Sequence, residues 1–464
     1  MIRSSRVMRA TLTAALLLLM GLPNAGFAAA EPAPTPRATC GLGSDPETGL
    51  QGRVSAADVA SGRASRGYRC NTEVRGHFGV AGYEGGSGGY KVFRYTDARG
   101  HECAFYDSTL LFPVNAMGGD LPGAFVLDMT DPANPVRTAT LATPAMLSPH
   151  ESLSFNAARG LLAAGLGNPV TYPGIVDIYD VTSDCRHPVL KSSTPFGVLG
   201  HEGNFSPDGN TLWISNASQT LTAIDVSNPT IPSRLLTITG VGVHGMNISD
   251  DGNRLYYADL TNKGLTILDT TQVQNRTPNP QAPVVGHTTW ETVSTPQNAI
   301  PVTIGGHPFL VEVDEFSRGL GSGTVAPPVG AARIVDIADD HAPQVISDLR
   351  LEVNTAANFN TVKGDAGATN LLQGYTAHYC AVPSRVDPGI VACSFILSGL
   401  RVFDIHDPYN PREIAYFNAP VNTTRGTTSY AMSAPAFAPE RGEIWYSDGN
   451  SGFYNLHITN GVWQ

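Results

Sequence analysis

Apolar and polar residues alternate along most of this chain in short runs that stop at an aspartate. GAFVLDMTDPANPVRTATL (123–141) and GLRVFDIHDPYNPREIAYF (399–417) are two widely separated copies of one pattern. In each, a period-two apolar run ends in Asp, a polar stretch with proline follows, and a second apolar run begins. A period of two predicts strands with one buried face. GIVDIYDVTSDCRHPVL (174–190), LTAIDVSNPTIPSRLLTI (221–238), LTILDTTQVQNRTPNPQAP (265–283) and ARIVDIADDHAPQVISDL (332–349) repeat the plan. The anchor residues are Asp128, Asp180, Asp225, Asp269, Asp336 and Asp404. A carboxylate there accepts backbone N–H groups just past the strand, and the prolines stop the strand from continuing. They are read as structural turn residues, marking a repeated corner between two strands.

Upstream of each corner lies a hairpin pattern. HEGNFSPDGNTLWIS (201–215) and HGMNISDDGNRLYYA (244–258) place Asp-Gly between two apolar runs, and HESLSFNAARGLLAA (150–164) and HECAFYDSTLLFP (101–113) are weaker versions. Each unit therefore holds four antiparallel strands. Successive anchors are 52, 45, 44, 67 and 68 residues apart, which is the period of a propeller blade with insertions in the longer units. A last unit, YAMSAPAFAPERGEIWYSDGNSGFYNLHIT (430–459), carries His457 at the Asp position. The fold expected is all-β, a β-propeller of seven four-stranded blades, with six or eight as the alternatives. Segment 74–95, containing KVFRYT, is expected to supply a strand that closes the ring or completes an edge blade.

ILSGLRVFDIHDPYNPREIAYF, GAFVLDMTDPANPVRTATL and AHYCAVPSRVDPGIVACSF resemble bacterial LVIVD-repeat proteins, from TCGLGSDPETGLQG (39–52) onward. The resemblance implies an exported β-propeller and carries no catalytic residues with it.

Address and composition narrow the function. Arg3, Arg6 and Arg9 precede LTAALLLLMGL (12–22), and small residues follow, with Ala28 or Ala30 last before a cut. Residues 1–30 read as a secretory signal peptide, residues 31–73 as a Pro-rich linker with disulfide-containing segment, and 74–464 as the propeller. A secreted, periplasmic or cell-envelope location follows, with no transmembrane segment after cleavage. Six cysteines, an even number, suit such a compartment. Cys380 and Cys393 flank a turn sequence and are expected to face each other on paired strands. A net charge of −11 argues against a nucleic-acid partner.

The chemistry-bearing pattern is a set of histidines. His101, His150, His201, His244, His307 and His378 precede their anchor aspartates by 27, 30, 24, 25, 29 and 26 residues, with Ser433 in the last unit. That spacing sets each at the start of an inner strand, where a propeller collects residues around one channel mouth. Glu102, Glu151 and Glu202 follow three of them. One reading makes each His a repeated structural hydrogen-bond donor. The other makes several of them ligands to copper or zinc, with His201, His244, His307 and His378 as the metal set and Glu151 or Glu202 as proton acceptors. Nitrogens from three blades converging within ~4–5 Å favour the metal. Binding of a protein, surface polymer or small ligand at the channel mouth is the leading function, and a copper or zinc enzyme the alternative. GYEGGSGGYK (82–91) reads as a loop, and Asn216, Asn247 and Asn422 head glycosylation sequons.

Overall fold

The computed structural model describes residues 31–79, 88–108, 123–165, 174–196, 200–216, 219–317, 328–365, 374–421 and 429–463. Residues 1–30, read above as a signal peptide, residues 82–87 of the glycine-rich stretch, and Asn422 lie outside these. Among the described residues no helix is long and apolar enough to cross a membrane.

Seven antiparallel sheets follow one another along the chain. In the third blade, for example, the strands are Gly200–Phe205, Thr211–Asn216, Thr220–Asp225 and Ser233–Thr239, paired in that order. First strands of successive blades touch, so the first strand is the inner one. Apolar clusters fill the spaces between blades. Phe105 and Val126 pack with Leu162 and Tyr179 between the first and second blades. Val92 and Phe125 pack with Trp445 and Phe453 between the first and seventh, which closes the ring. This is the seven-bladed β-propeller that the repeat predicts.

The anchor aspartates end the third strand of six blades. Each carboxylate accepts the backbone N–H two residues on, at 2.8–3.0 Å, from Thr130, Thr182, Ser227, Thr271, Ala338 and His406. The Asp-Gly hairpins also form as expected, with Gly209 and Gly252 at φ of 67° and 76°, where a Cβ would be strained.

Segment 74–95 divides between two blades. Thr72–Phe78 pairs with Gly452–Ile458 as the outer strand of the seventh blade, so the two ends of the propeller meet in one sheet. KVFRYT instead forms the inner strand of the first blade, Val92–Thr96. Just upstream, Tyr68–Cys70 adds a fifth strand to the sixth blade. The chain passes between these blades at Asn71, which holds φ of 54°. Its amide donates to Thr39 O and Ile414 O, the local bonding that lets Asn occupy left-handed backbone.

All six cysteines are bonded, as Cys40–Cys70, Cys103–Cys185 and Cys380–Cys393. The last pair sits directly across the first two strands of the sixth blade. Cys103–Cys185 ties the first blade to the second, a pairing that sequence spacing does not single out.

Candidate functional site

Four of the six histidines meet at one mouth of the channel. His150, His201, His244 and His378 sit at or just before the inner strands of blades two, three, four and six. They line a cavity of about 530 Å3 together with Tyr90, Glu151 and Glu315. Neighbouring rings pack in a chain: Tyr90 on His150 with centroids 4.5 Å apart, His150 to His201 at 4.8 Å, and His201 to His244 at 4.8 Å.

Glu151 is the hub. Its Oε2 lies 3.1 Å from His201 Nε2 and 3.7 Å from His244 Nε2, and its Oε1 lies 3.2 Å from His378 Nε2. Glu315 faces it, 3.4 Å from His244 Nε2 and 3.2 Å from His378 Nε2. Both carboxylates are almost wholly buried. Gln297 donates to Glu151 Oε1 at 2.7 Å.

Two of the rings are fixed from behind. His244 Nδ1 donates to Pro296 O and His378 Nδ1 to Met432 O, each at 2.7 Å. With Nδ1 carrying the proton, the Nε2 of a neutral ring is a lone pair, here aimed at carboxylate oxygens. Acceptor would face acceptor, so a cation belongs between them, either a proton or a metal ion. Burial opposes charge on His378, but its hydrogen bonds to Glu151 and Glu315 raise its pKa to about 10. Without metal it is an imidazolium shared by two carboxylates. His150 responds the other way: burial, reinforced by the neighbouring rings, lowers it to about 3 and keeps it neutral. Burial pushes Glu151 up, yet the imidazoles outweigh it and hold the carboxyl well below its usual range.

His150 Nδ1 is buried with no hydrogen-bond partner, and Glu151 Oε2 and His201 Nε2 have only each other and neighbouring ring nitrogens within reach, an unusual density of poorly satisfied polar atoms in one place. Ligand atoms of His150, Glu151 and His201 all lie within 4.8 Å of one another. His150 and Phe316, both on the cavity wall, hold positive φ of 54° and 56°. Backbone strain of this kind collects at functional sites.

Four of the expected mouth residues lie elsewhere. His101 sits in the turn before Glu102–Asp107, the second strand of its blade, with Nδ1 2.9 Å from Asp97 Oδ2. Glu102 goes with it, paired to Arg94 and Arg441. His307 opens the second strand of the fifth blade, and its Nε2 bonds the anchor Asp336 at 2.8 Å. The count back from the aspartate misplaces these two because residues 108–123 and 316–331 lengthen the connection from second to third strand. A histidine at the far end of the inner hairpin then falls at the same spacing as one at its start. Glu202 lies deeper in the channel, where Lys91 Nζ and the Tyr379 hydroxyl each donate to it at 2.5 Å. Burial pushes its carboxyl up to about 7 against the pull of Lys91.

The sequence gives little sign of Glu315, Gln297 or Tyr90. Glu315 ends a second strand, outside the histidine pattern, although the acid-rich run EVDE (312–315) is a visible clue. Asn247 is buried and hydrogen-bonded within the channel, a poor place for a glycan.

No protein-family model matches the chain, and no curated protein matches its sequence. Among solved structures, the periplasmic gluconolactonase of Pseudomonas aeruginosa aligns with TM-score 0.51 and 14% identity, over 74% of this chain and 89% of that one. A candidate 6-phosphogluconolactonase of Bacteroides uniformis aligns with TM-score 0.52 and 12% identity, over 75% and 91%. A chain of the mitotic checkpoint complex aligns equally well, with TM-score 0.51 and 10% identity. Such distant likeness to proteins of unlike roles speaks for the propeller fold alone.

Proposed function

We propose that the histidine mouth holds one divalent transition-metal ion, copper or zinc, and that this exported propeller uses it to bind a small molecule in the adjoining cavity. The observation that carries the reading is the convergence of four imidazoles from four blades on Glu151 and Glu315, with two rings locked so that Nε2 faces inward. His150, His201 and Glu151, whose ligand atoms lie within 4.8 Å of one another, would hold the ion, and His244, His378 and Glu315 lie close enough to complete or tune the set. Imidazole with carboxylate suits zinc and copper. The carbonyls of Pro296 and Met432 act as the outer partners that orient ligating histidines.

A repeated structural histidine would account for His101 and His307, each bonded to an aspartate, but not for four rings gathered around two buried carboxylates. Three disulfides accord with an oxidising compartment. Assignment to the LVIVD-repeat proteins rests on the strand-to-Asp segments. A metal-dependent enzyme is the second reading, favoured by the substrate-sized cavity beside the cluster, where an ion's open positions would face a ligand.

Elemental analysis of protein purified without chelator tests the proposal. About one copper or zinc per chain, lost in His201→Ala and retained in His307→Ala, is the expected result. Absence of metal, with no rise in melting temperature on adding either ion, would overturn it.

A further inference from the structure

The channel has a second mouth of opposite character. Glu202, Tyr379 and Lys91 are buried in the channel beneath the histidines. Beyond them lies a separate cavity of about 360 Å3. Three cations line it, Lys91, Arg94 and Arg385, and no Asp or Glu does among the described residues. In a chain of net charge −11, this is a local reversal of sign. The histidine cavity shows the converse, with two carboxylates and neither Lys nor Arg in its lining.

The acids that pair with the outer two cations stand outside the cavity. Arg385 Nη1 donates to Asp250 Oδ1 at 2.8 Å, and the Asp250 side chain is 66% exposed. Arg94 pairs with Glu102 and with Glu440, whose side chain is 54% exposed. Ion pairs with partners this exposed are worth little, so an incoming anion can compete for Arg385; Arg94 stays held by Glu102, whose side chain is only 11% exposed, and adds positive charge beside it.

One wall carries a ladder of amides. Asn204 Nδ2 donates to Asn247 Oδ1 at 2.8 Å, and Asn247 Nδ2 donates to Asn298 Oδ1 at 2.6 Å. These residues come from the inner strands of three successive blades. Arg385 Nη2 reaches Asn247 Oδ1 at 3.4 Å, which joins the ladder to a cation. Asn204 Nδ2 also donates to Met246 O and Asn298 Nδ2 to Glu202 Oε1, so Asn204 Oδ1 and one N–H each of Asn247 and Asn298 are left for hydroxyl partners. Val382 and Phe437 supply apolar surface within the same cavity, the usual complement to a few polar groups in a small-molecule site.

We infer that this second mouth is a binding site for a small hydroxylated carboxylate, such as a sugar acid, separate from the histidine site. The Arg385 guanidinium takes the carboxylate, a planar anion that matches its fork of donors, with Arg94 and Lys91 adding positive charge around it. The asparagine ladder takes hydroxyls, and the apolar wall takes the carbon skeleton.

Calorimetric titration of the intact protein with glucuronate, glucose and acetate tests this. Glucuronate binds once per chain, at least about tenfold more tightly than glucose, which lacks the charge, and than acetate, which lacks the hydroxyls. Arg385→Gln, a change at a partly exposed rim residue, weakens glucuronate by at least about tenfold and leaves the metal content and circular dichroism unchanged. Binding of glucose or acetate as tight as glucuronate, equal glucuronate affinity in the variant, or no glucuronate binding at millimolar concentration would each overturn the inference. The result stands apart from metal loading, so failure of either site leaves the other intact.

Discussion

Replacing Glu151 by Gln keeps its shape and removes the charge on which the histidine site is built. In the native site Glu151 is 2% exposed, and its oxygens lie 3.1–3.7 Å from Nε2 of His201, His244 and His378. Breaking a buried ion pair by removing one partner costs ~3–5 kcal/mol. Glu315 stays 3.2 Å from His378 and keeps part of the attraction, so the lower end, about 3 kcal/mol, is expected for metal-free protein. With an unfolding entropy of ~2 cal/mol/K per residue, a chain of this size loses about 3–4 °C in Tm. The same change removes a ligand, so affinity for copper or zinc falls by at least about 100-fold, the upper range seen for outer-shell changes alone. Scanning calorimetry at one scan rate, with and without chelator, followed by metal titration, reads both effects. An unchanged Tm without metal, together with undiminished metal affinity, would refute the assignment of Glu151 as hub.

Gly245 follows His244, and a Cβ there would sit 2.1 Å from Gln297 O; Gly245→Ala should push blades four and five apart, cost ~1–3 kcal/mol in chemical denaturation and weaken metal binding. Removing Cys103–Cys185 opens a separation of 82 residues against 13 for Cys380–Cys393. Loop entropy gives about 4.5 and 3 kcal/mol respectively, so the double Cys→Ser change at the first pair should lower the denaturation midpoint more. Burial pushes the Asp97 carboxyl up, but the N–H of Cys185 and the ring and N–H of His101 outweigh it and hold the pKa below the usual value. Its stabilisation is present above the unfolded pKa of ~3.9 and is lost as pH falls through the lower folded value. Asp97→Asn should therefore destabilise at pH 7, with the gap from wild type closing below about pH 4 in urea titrations.

The corner at each anchor aspartate was legible because it is local: a strand, a carboxylate and the N–H two residues later are all set within a few positions. Six such corners, with the last unit that carries His457 in place of Asp, give the seven blades. Closure by Thr72–Phe78 was only half legible, because a strand that pairs with residues 452–458 carries no sign of its partner in its own sequence. The histidine site shows the same limit. His150, His201, His244 and His378 share a start-of-strand position, whereas His101 and His307 share only a distance from an aspartate, and insertions after the second strand imitate that distance. Glu315, from another strand of another blade, enters the site only through the closed ring.

Anomalous X-ray diffraction at the copper and zinc absorption edges, on crystals of protein never exposed to chelator, tests the central claim most directly. The predicted result is one strong peak beside the Glu151 carboxylate, within reach of the ring nitrogens of His150 and His201. No peak at that mouth, or a peak only at the outer cluster of Asp97, His101 and Asp184, would contradict it.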